Sequence, residues 1–309
     1  MDQLILAPLR GITGRTFREV YARHFNGISE AVAPFIPTVE GVRIKPRLLY
    51  DVQPPVAGPP LVPQLLSRDP RALRVMLEAL RGLGYTRVNL NAGCPWPMVV
   101  KRGRGSGLLA DETILAGMLE AGCDAMPGGF SIKVRLGIND ASLLPLRMPL
   151  INQFPLEEVV IHPRTAKQMY EGTADVEAFE RVAAMCCHNV VYNGDIFSRA
   201  DFQRMKERFP HITRWMLGRG VIRNPQLCED ILAGADSAVD VARVMAFHDD
   251  YFAAVCGELS GERPVLGRMK ELWYHLHSAI PRGGKILRHV QLCNALEDYR
   301  MIVAEVGGR

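Results

Sequence analysis

Eight short apolar runs rich in β-branched residues, spaced by stretches of helical periodicity, predict an α/β chain. Its fold class is a (β/α)8 TIM barrel followed by a small all-helical C-terminal domain. The runs occupy residues 4–8, 28–33, 61–66, 87–91, 131–136, 158–162, 190–193 and 215–217. Alternation at this pitch implies a parallel sheet, and eight repeats within ~230 residues fit closure into a barrel. A doubly wound open sheet is the rival. It is disfavoured because no Gly-x-Gly-x-x-Gly turn follows the first run, where a dinucleotide fold carries one. After residue 234 no β-type run remains, which marks the change of architecture.

The first run ends in Ala7-Pro8-Leu9-Arg10-Gly11-Ile12-Thr13, and the third holds Gln64 among apolar residues. Residues 70–83 carry apolar side chains at Leu73, Met76, Leu77 and Leu80, the spacing of one helix face, and 113–123 reads likewise. The fourth run stops at Gly93-Cys94-Pro95-Trp96-Pro97, where glycine and two prolines forbid continuation as strand or helix. The fifth reads Lys133-Val134-Arg135, and a proline-containing segment, 143–155, leads to the sixth, His162-Pro163-Arg164-Thr165. The seventh ends Asn193-Gly194-Asp195 and the eighth Gly218-Arg219-Gly220. Beyond them 237–259, 264–278 and 285–303 read as helices parted by Gly/Pro signals at 261–264 and 281–284. The expected division is therefore 1–234 and 235–309.

Composition narrows the setting. With 48% hydrophobic residues the 309-residue chain is too apolar for disorder. Seven cysteines show no CxxC pair and no zinc-like Cys/His spacing, so reduced thiols in a cytoplasmic protein and no metal are expected. No stretch approaches the ~20 apolar residues that span a bilayer, and no signal peptide opens the chain, so no membrane partner is expected. A net charge of +4 permits a polyanionic partner without requiring one. That charge is uneven: residues 262–290 hold six Lys/Arg against two acids, interleaved with Trp273, Tyr274, His275 and His277. Such a segment reads either as a nucleic-acid surface or as a solvated helix face over an aromatic core contact. A monomer is the expected state.

A thiol fixed on a rigid turn at the C-terminal end of a barrel strand stands where such barrels keep their chemistry, which makes Cys94 the catalytic candidate. The alternative is a packed structural cysteine. The polar, rigid surroundings of Asn91, Gly93 and the two prolines count against it. Glycine-containing turns after strands seven and eight form the usual phosphate site of a barrel, because backbone N–H groups there face an anion closely. A phosphate-bearing cofactor over the barrel mouth follows from these positions.

The ordered set of motifs resembles the tRNA-dihydrouridine synthases, bacterial members in particular, and the tail length points to the C-type subfamily. The matching residues are Leu6-Ala7-Pro8, Gly11-Ile12-Thr13, Phe17-Arg18, Asn89-Leu90-Asn91-Ala92-Gly93-Cys94-Pro95 and Gly105-Ser106-Gly107-Leu108-Leu109. They continue through Lys133-Val134-Arg135, the run from His162 to Gly172, Tyr192-Asn193-Gly194-Asp195-Ile196 and Gly218-Arg219-Gly220 with Asn224-Pro225. The resemblance covers roughly residues 4–232, and the tail has the family's layout. It implies an FMN-dependent, NADPH-driven reduction of a uridine in tRNA to 5,6-dihydrouridine, with hydride from FMN N5 to C6 and Cys94 protonating C5. It further implies that Ala7, Pro8, Leu9, Gln64, Lys133, His162, Asn193, Gly194, Asp195, Gly218 and Arg219 hold FMN. Asn91, Arg135, Arg164 and Tyr170 would meet the flipped uridine, and Lys270, Lys285 and Arg288 the tRNA. Leu9, Arg10, Ala92 and Ser106 depart from the family's usual residues; none of these departures touches Cys94 or Lys133.

Two rivals remain at this level: an FMN barrel acting on a free pyrimidine, of the dihydroorotate or dihydropyrimidine dehydrogenase kind, and a non-catalytic RNA-binding paralogue. The basic, aromatic tail argues against the first, and the Cys94/Lys133/His162 set against the second.

Overall fold

The computed structural model describes residues 2–38 and 44–306. Its strands are β1 (Gln3–Leu6), β2 (Glu30–Val32), β3 (Ile36–Pro37), β4 (Leu61–Val62), β5 (Gln64–Leu66), β6 (Val88–Ala92), β7 (Phe130–Gly137), β8 (Glu158–Thr165), β9 (Asn189–Tyr192) and β10 (Arg214–Leu217). Every pairing is parallel, in the order β3-β5-β6-β7-β8-β9-β10-β1-β2-β4. β2 and β3 are halves of one stave and β4 and β5 halves of the next, so the ladder returns on itself as a barrel of eight staves. Prolines cause both interruptions: Pro34 parts β2 from β3, and Pro63 parts β4 from β5, since neither has an N–H to give the ladder. All eight predicted runs become staves.

Sequence caps fix where the outer helices begin. Asp69, Asp111 and Asp175 accept N–H bonds at the starts of helices Pro70–Gly82, Glu112–Ala125 and Val176–Met185. Ser198 and Asp201 form a reciprocal capping box on Arg199–Arg208. The outward strand residues pack against these helices in the main core, as Leu4, Leu6, Leu90, Ile132 and Ile161 do. At the N-terminal rim, Arg214 donates to Glu158 at 2.7 Å and Glu30 at 2.9 Å, and Arg87 pairs with Glu30 and Glu157. This charged plug lies at the end of the barrel that serves stability rather than chemistry.

Helix Leu227–Ala233 ends at Gly234, whose φ of +68° closes it in the left-handed conformation. Beyond it the described residues form only helices: Val241–Glu258, Glu262–Leu276, a short 3-10 turn at His277–Ala279, Gly283–Leu292 and Leu296–Ala304. The single helix expected over 285–303 is therefore two. Cys293 is extended, and the break lets Tyr299 fold back so that its hydroxyl meets Trp273 Nε1 at 2.9 Å and His248 Nε2 at 2.5 Å. That buried triad explains Trp273 and Tyr299 as core. The tail clasps the barrel through Phe247 and Tyr251, which contact Phe17 on the first helix, Arg15–His24, with ring centroids 5.7 and 5.8 Å apart. No described helix is long and apolar enough to cross a membrane, and none of the seven cysteines is in a disulfide.

Candidate active site

Period-two alternation along each strand decides what enters the barrel. Ile5, Ala7, Val32, Val62, Val160, Val191 and Met216 form a separate buried cluster, the apolar lower interior. Continuing two residues at a time toward the C-terminal rim, the same inward faces turn polar. Val62 is followed by Gln64, Val160 by His162 and Arg164, Val191 by Asn193, Met216 by Gly218, and Ser131 by Lys133 and Arg135. The polar collar thus stands on an apolar plug at the end of the barrel where catalytic loops gather.

One arc of the collar is a chain of amides. Asn89 Nδ2 donates to Ser131 Oγ at 2.8 Å, Gln64 Nε2 to Asn89 Oδ1 at 2.8 Å, and Asn91 Nδ2 to Gln64 Oε1 at 2.7 Å. Asn91 Oδ1 then accepts from the backbone N–H groups of Gly93 (3.1 Å) and Cys94 (2.8 Å). Gln64 and Asn91, expected on flavin and uridine, are here bound to protein and orient the Cys94 turn. Gly105, at φ +56°, completes that turn: a Cβ on it would lie 2.6 Å from the Cys94 carbonyl oxygen. Burial raises the Cys94 thiol above its ordinary range, while the Trp96 backbone N–H and then Arg135, Arg10 and Lys133 pull it back. The thiol is therefore a protonated acid at neutral pH.

A second arc forms a cationic cradle. Ala7, Pro8, Leu9, Lys133, His162, Tyr170, Asn193, Gly194, Asp195, Gly218 and Arg219 line one small polar cavity. Ten of these eleven are the residues expected at the cofactor; of that expected set only Gln64 lies outside. Burial and neighbouring Arg135 push the Lys133 ammonium down to about 7. His162 is held well below its ordinary value by burial and by Arg135, Lys133, Arg164 and Arg219, so its ring is neutral. Asp195 accepts from Arg219 at 2.7 Å, from Arg164, and from the Ala174 N–H at 2.9 Å. One carboxylate thus serves two arginines, leaving Lys133 without a protein partner among the described residues. A cradle with this surplus of positive charge fits an anionic group such as a flavin phosphate or a reduced flavin ring.

Arg135 and Arg164, expected on the substrate, are buried beneath the mouth and hold its rim. Arg135 Nη1 donates to the carbonyls of Thr165 and Met169, both at 2.7 Å. Arg164, 1% exposed, donates to Glu171 and to Gly172 (2.9 Å). Between them they fix the loop that presents Tyr170, whose ring lies under Arg219 at 4.6 Å and near Arg135 at 5.4 Å.

Tyr170, Leu9 and Arg219 also border a larger cleft of about 750 Å³ that contains Cys94. Arg10, Phe35, Trp96, Arg223, Glu271, Tyr274 and His275 line it as well. The tail therefore supplies one wall, from helix Glu262–Leu276, and reaches it over Gly11, where any Cβ would meet Glu271 Oε2 at 2.6 Å. Lys270, Lys285 and Arg288 do not reach the cleft. Lys270 donates to the Gln291 carbonyl at 3.0 Å and Lys285 lies 3.7 Å from Glu305. Among the cleft residues sequence reasoning had no role for Phe35, Trp96, Arg223 and Glu271. Trp96, set between two prolines beside Cys94, was the one legible signal.

The dihydrouridine synthase (Dus) family model matches residues 5–281. The chain is 27% identical over 303 residues to a tRNA-dihydrouridine(16) synthase of Cupriavidus necator, covering 91% of this chain and 93% of that protein. Another of the same name from Shewanella oneidensis is 26% identical, covering 98% of each. The tRNA-dihydrouridine synthase B of Pseudomonas aeruginosa is 27% identical over 74% of this chain and 69% of its own. Among solved structures, morphinone reductase superposes with a TM-score of 0.52 at 12% identity, covering 78% of this chain and 88% of that one. A variant of NCR from Zymomonas mobilis gives 0.54 at 11%, covering 76% and 87%. These two share the barrel fold alone. With the family model spanning the barrel and most of the tail, and the family's motif residues gathered at one rim, this chain belongs to the dihydrouridine synthase family.

Proposed function

We propose that the protein reduces a uridine of tRNA to 5,6-dihydrouridine, with FMN as cofactor and NADPH as the source of reducing equivalents. The observation that carries this reading is the adjacency of the two cavities. An anion cradle shares Leu9, Tyr170 and Arg219 with a cleft wide enough for a nucleotide, which has a protonated thiol on its wall. Lys133, neutral His162, Asn193 and Arg219 are the groups that would hold the flavin, beside the Ala7–Leu9 backbone and the Gly194 and Gly218 turns. When reduced, FMN supplies the hydride that adds to C6 of the uracil ring.

The protein's part is the proton. Cys94 gives up its Sγ hydrogen to C5, so that hydride and proton together saturate one C=C bond. Arg135, Arg10 and Lys133 then stabilise the thiolate that remains. The base must leave its stack to present its ring face, which the cleft's aromatic and cationic lining accommodates. This lining, partly supplied by the tail, favours a polyanionic substrate over a free pyrimidine. A purified sample that is yellow, bleaches with NADPH and forms dihydrouridine in unmodified tRNA would bear the proposal out. Mapping dihydrouridine in tRNA from a deletion strain and a complemented one would identify the position. Turnover of free uracil or orotate at a comparable rate would overturn it, as would tRNA unchanged between the two strains.

A further inference from the structure

The segment after Cys94 leaves and returns to the same residue. Residues 95–105 begin at the Cys94 carbonyl carbon and end with Gly105 packed against it, and the Ser106 N–H donates to the Cys94 carbonyl at 3.1 Å. Between these ends the loop carries Trp96, 55% exposed, and Met98, 61% exposed, then Lys101, Arg102 and Arg104. Arg68 joins from the turn after β5. Its guanidinium lies against Gly103, and its Nη1 donates to the Arg102 carbonyl at 3.4 Å.

Some cations on the neighbouring helices are paired. Arg147 pairs with Glu112 at 2.9 Å and Arg74 with Asp124 at 3.0 Å, both within the neighbouring helical layer. Among the described residues no carboxylate pairs with Arg68, Lys101, Arg102 or Arg104. Four cations left uncompensated beside an exposed tryptophan match a nucleic-acid strand, whose phosphates take the charges while a base takes the ring. Of the cluster, only Trp96 also lines the Cys94 cleft, with Tyr274, 62% exposed, also on the cleft lining.

We propose that loop 96–104 together with Arg68 is an RNA-contacting platform. Trp96 stacks on a base next to the extruded uridine, and the four cations hold the phosphates of the same strand. The inference rests on the tRNA reading above and adds a surface to it.

The test uses the flavin-loaded enzyme and an unmodified tRNA transcript. Combined Lys101→Ala, Arg102→Ala and Arg104→Ala should weaken binding and flatten the slope of log K against log salt by roughly 0.7–0.9 for each phosphate no longer neutralised. Flavin content and melting temperature should stay at wild-type values. Trp96→Ala should weaken binding by about 5- to 150-fold without changing the slope, and Trp96→Phe should recover most of it. Since Trp215 and Trp273 are buried, quenching of tryptophan emission by the transcript should disappear in Trp96→Phe.

A triple variant whose salt slope parallels wild type overturns the platform, whether or not its melting temperature falls. So does a triple variant that keeps the wild-type slope but is reduced slowly by NADPH, which would assign the cations to the dinucleotide phosphate. Unchanged affinity in Trp96→Ala removes the stacking role. If wild type itself neither binds nor reduces the transcript, the functional reading fails and takes the platform with it. If wild type does both and the variants match it, the platform alone fails.

Discussion

At Cys94, burial raises the thiol while the Trp96 backbone N–H and three cations lower it, and the balance keeps a proton available without holding it too firmly. Cys94→Ala should therefore keep the fold, the bound flavin and its reduction by NADPH, and lose roughly 10²–10⁴-fold in dihydrouridine formation. Quantifying dihydrouridine under single-turnover conditions checks it; near-normal turnover would remove the thiol from the mechanism. Lys133 offers a test through pH. Its ammonium is depressed from its ordinary 10.5 to about 7, so between these values the unfolded chain binds the proton that the native protein without ligand has lost. Native stability from this group accordingly rises with pH across that window. Anion binding runs the other way. Below pH 7 the lysine is already charged, and above it binding must take up a proton, so FMN affinity should fall by up to about tenfold per pH unit. Titrating flavin-free protein by flavin fluorescence should show that loss in wild type and not in Lys133→Met. Equal pH slopes would mean that Lys133 does not face the anion.

Between strands and turns, two glycines are required for reasons that only contact geometry supplies. At Gly105 the positive φ and the Cys94 carbonyl together exclude a side chain. Gly105→Ala should displace the thiol and lower kcat while flavin occupancy is retained, measurable as unchanged flavin absorbance per protein with slower dihydrouridine formation. Gly194 has an ordinary φ, yet a Cβ there would lie 2.1 Å from the Tyr192 hydroxyl oxygen. Tyr192 in turn is locked between Phe179 at 4.8 Å and Trp215 at 5.8 Å. Gly194→Ala must therefore disturb the end of β9 beside the cradle, and both flavin occupancy and melting temperature should drop. Full occupancy at an unchanged melting temperature would show that the turn yields without cost. The expectation of close phosphate approach at Gly194 is thus joined by a packing reason from below.

For the molecule as a whole, the tail is more than an attached helical unit. It buries Phe247 and Tyr251 against the first helix and places Tyr274, His275 and Glu271 on the wall of the cleft. Burial and the Arg223 and Arg219 charges push His275 down to about 4, so this wall contributes an uncharged ring at neutral pH. Of the basic residues singled out in the tail, Lys285 has a carboxylate neighbour, Glu305 at 3.7 Å, whereas Lys270 donates to the Gln291 carbonyl and keeps its charge uncompensated. Combined Lys270→Ala, Lys285→Ala and Arg288→Ala should therefore flatten the salt dependence of tRNA binding by no more than about 1.4–1.8, the share of Lys270 and Arg288. Binding titrations at several salt concentrations decide this. A flattening that needs all three cations would show that Lys285 leaves Glu305 for phosphate.

The eight staves, their order, the tail's change to helix and most of the residues that line the small polar cavity were legible in the sequence. Period-two alternation, proline and glycine breaks and the motif at Cys94 are local signals, read over a few residues. Contacts between residues distant in the chain were not legible, because side chains choose among several partners only once strands are in register. Arg135, Arg164, Gln64 and Asn91 are polar residues at strand ends and look alike as ligand contacts. The tertiary structure gives them protein partners, namely carbonyls, Asp195 and one another, since buried polar groups bond to whatever the fold brings within reach. Likewise a run of basic residues carries no mark of which charges are already paired. Lys270 and Lys285 find partners elsewhere in the tail, whereas Lys101, Arg102 and Arg104 lie on a loop whose closure around Cys94 brings another arginine, Arg68, beside them and, among the described residues, no paired carboxylate.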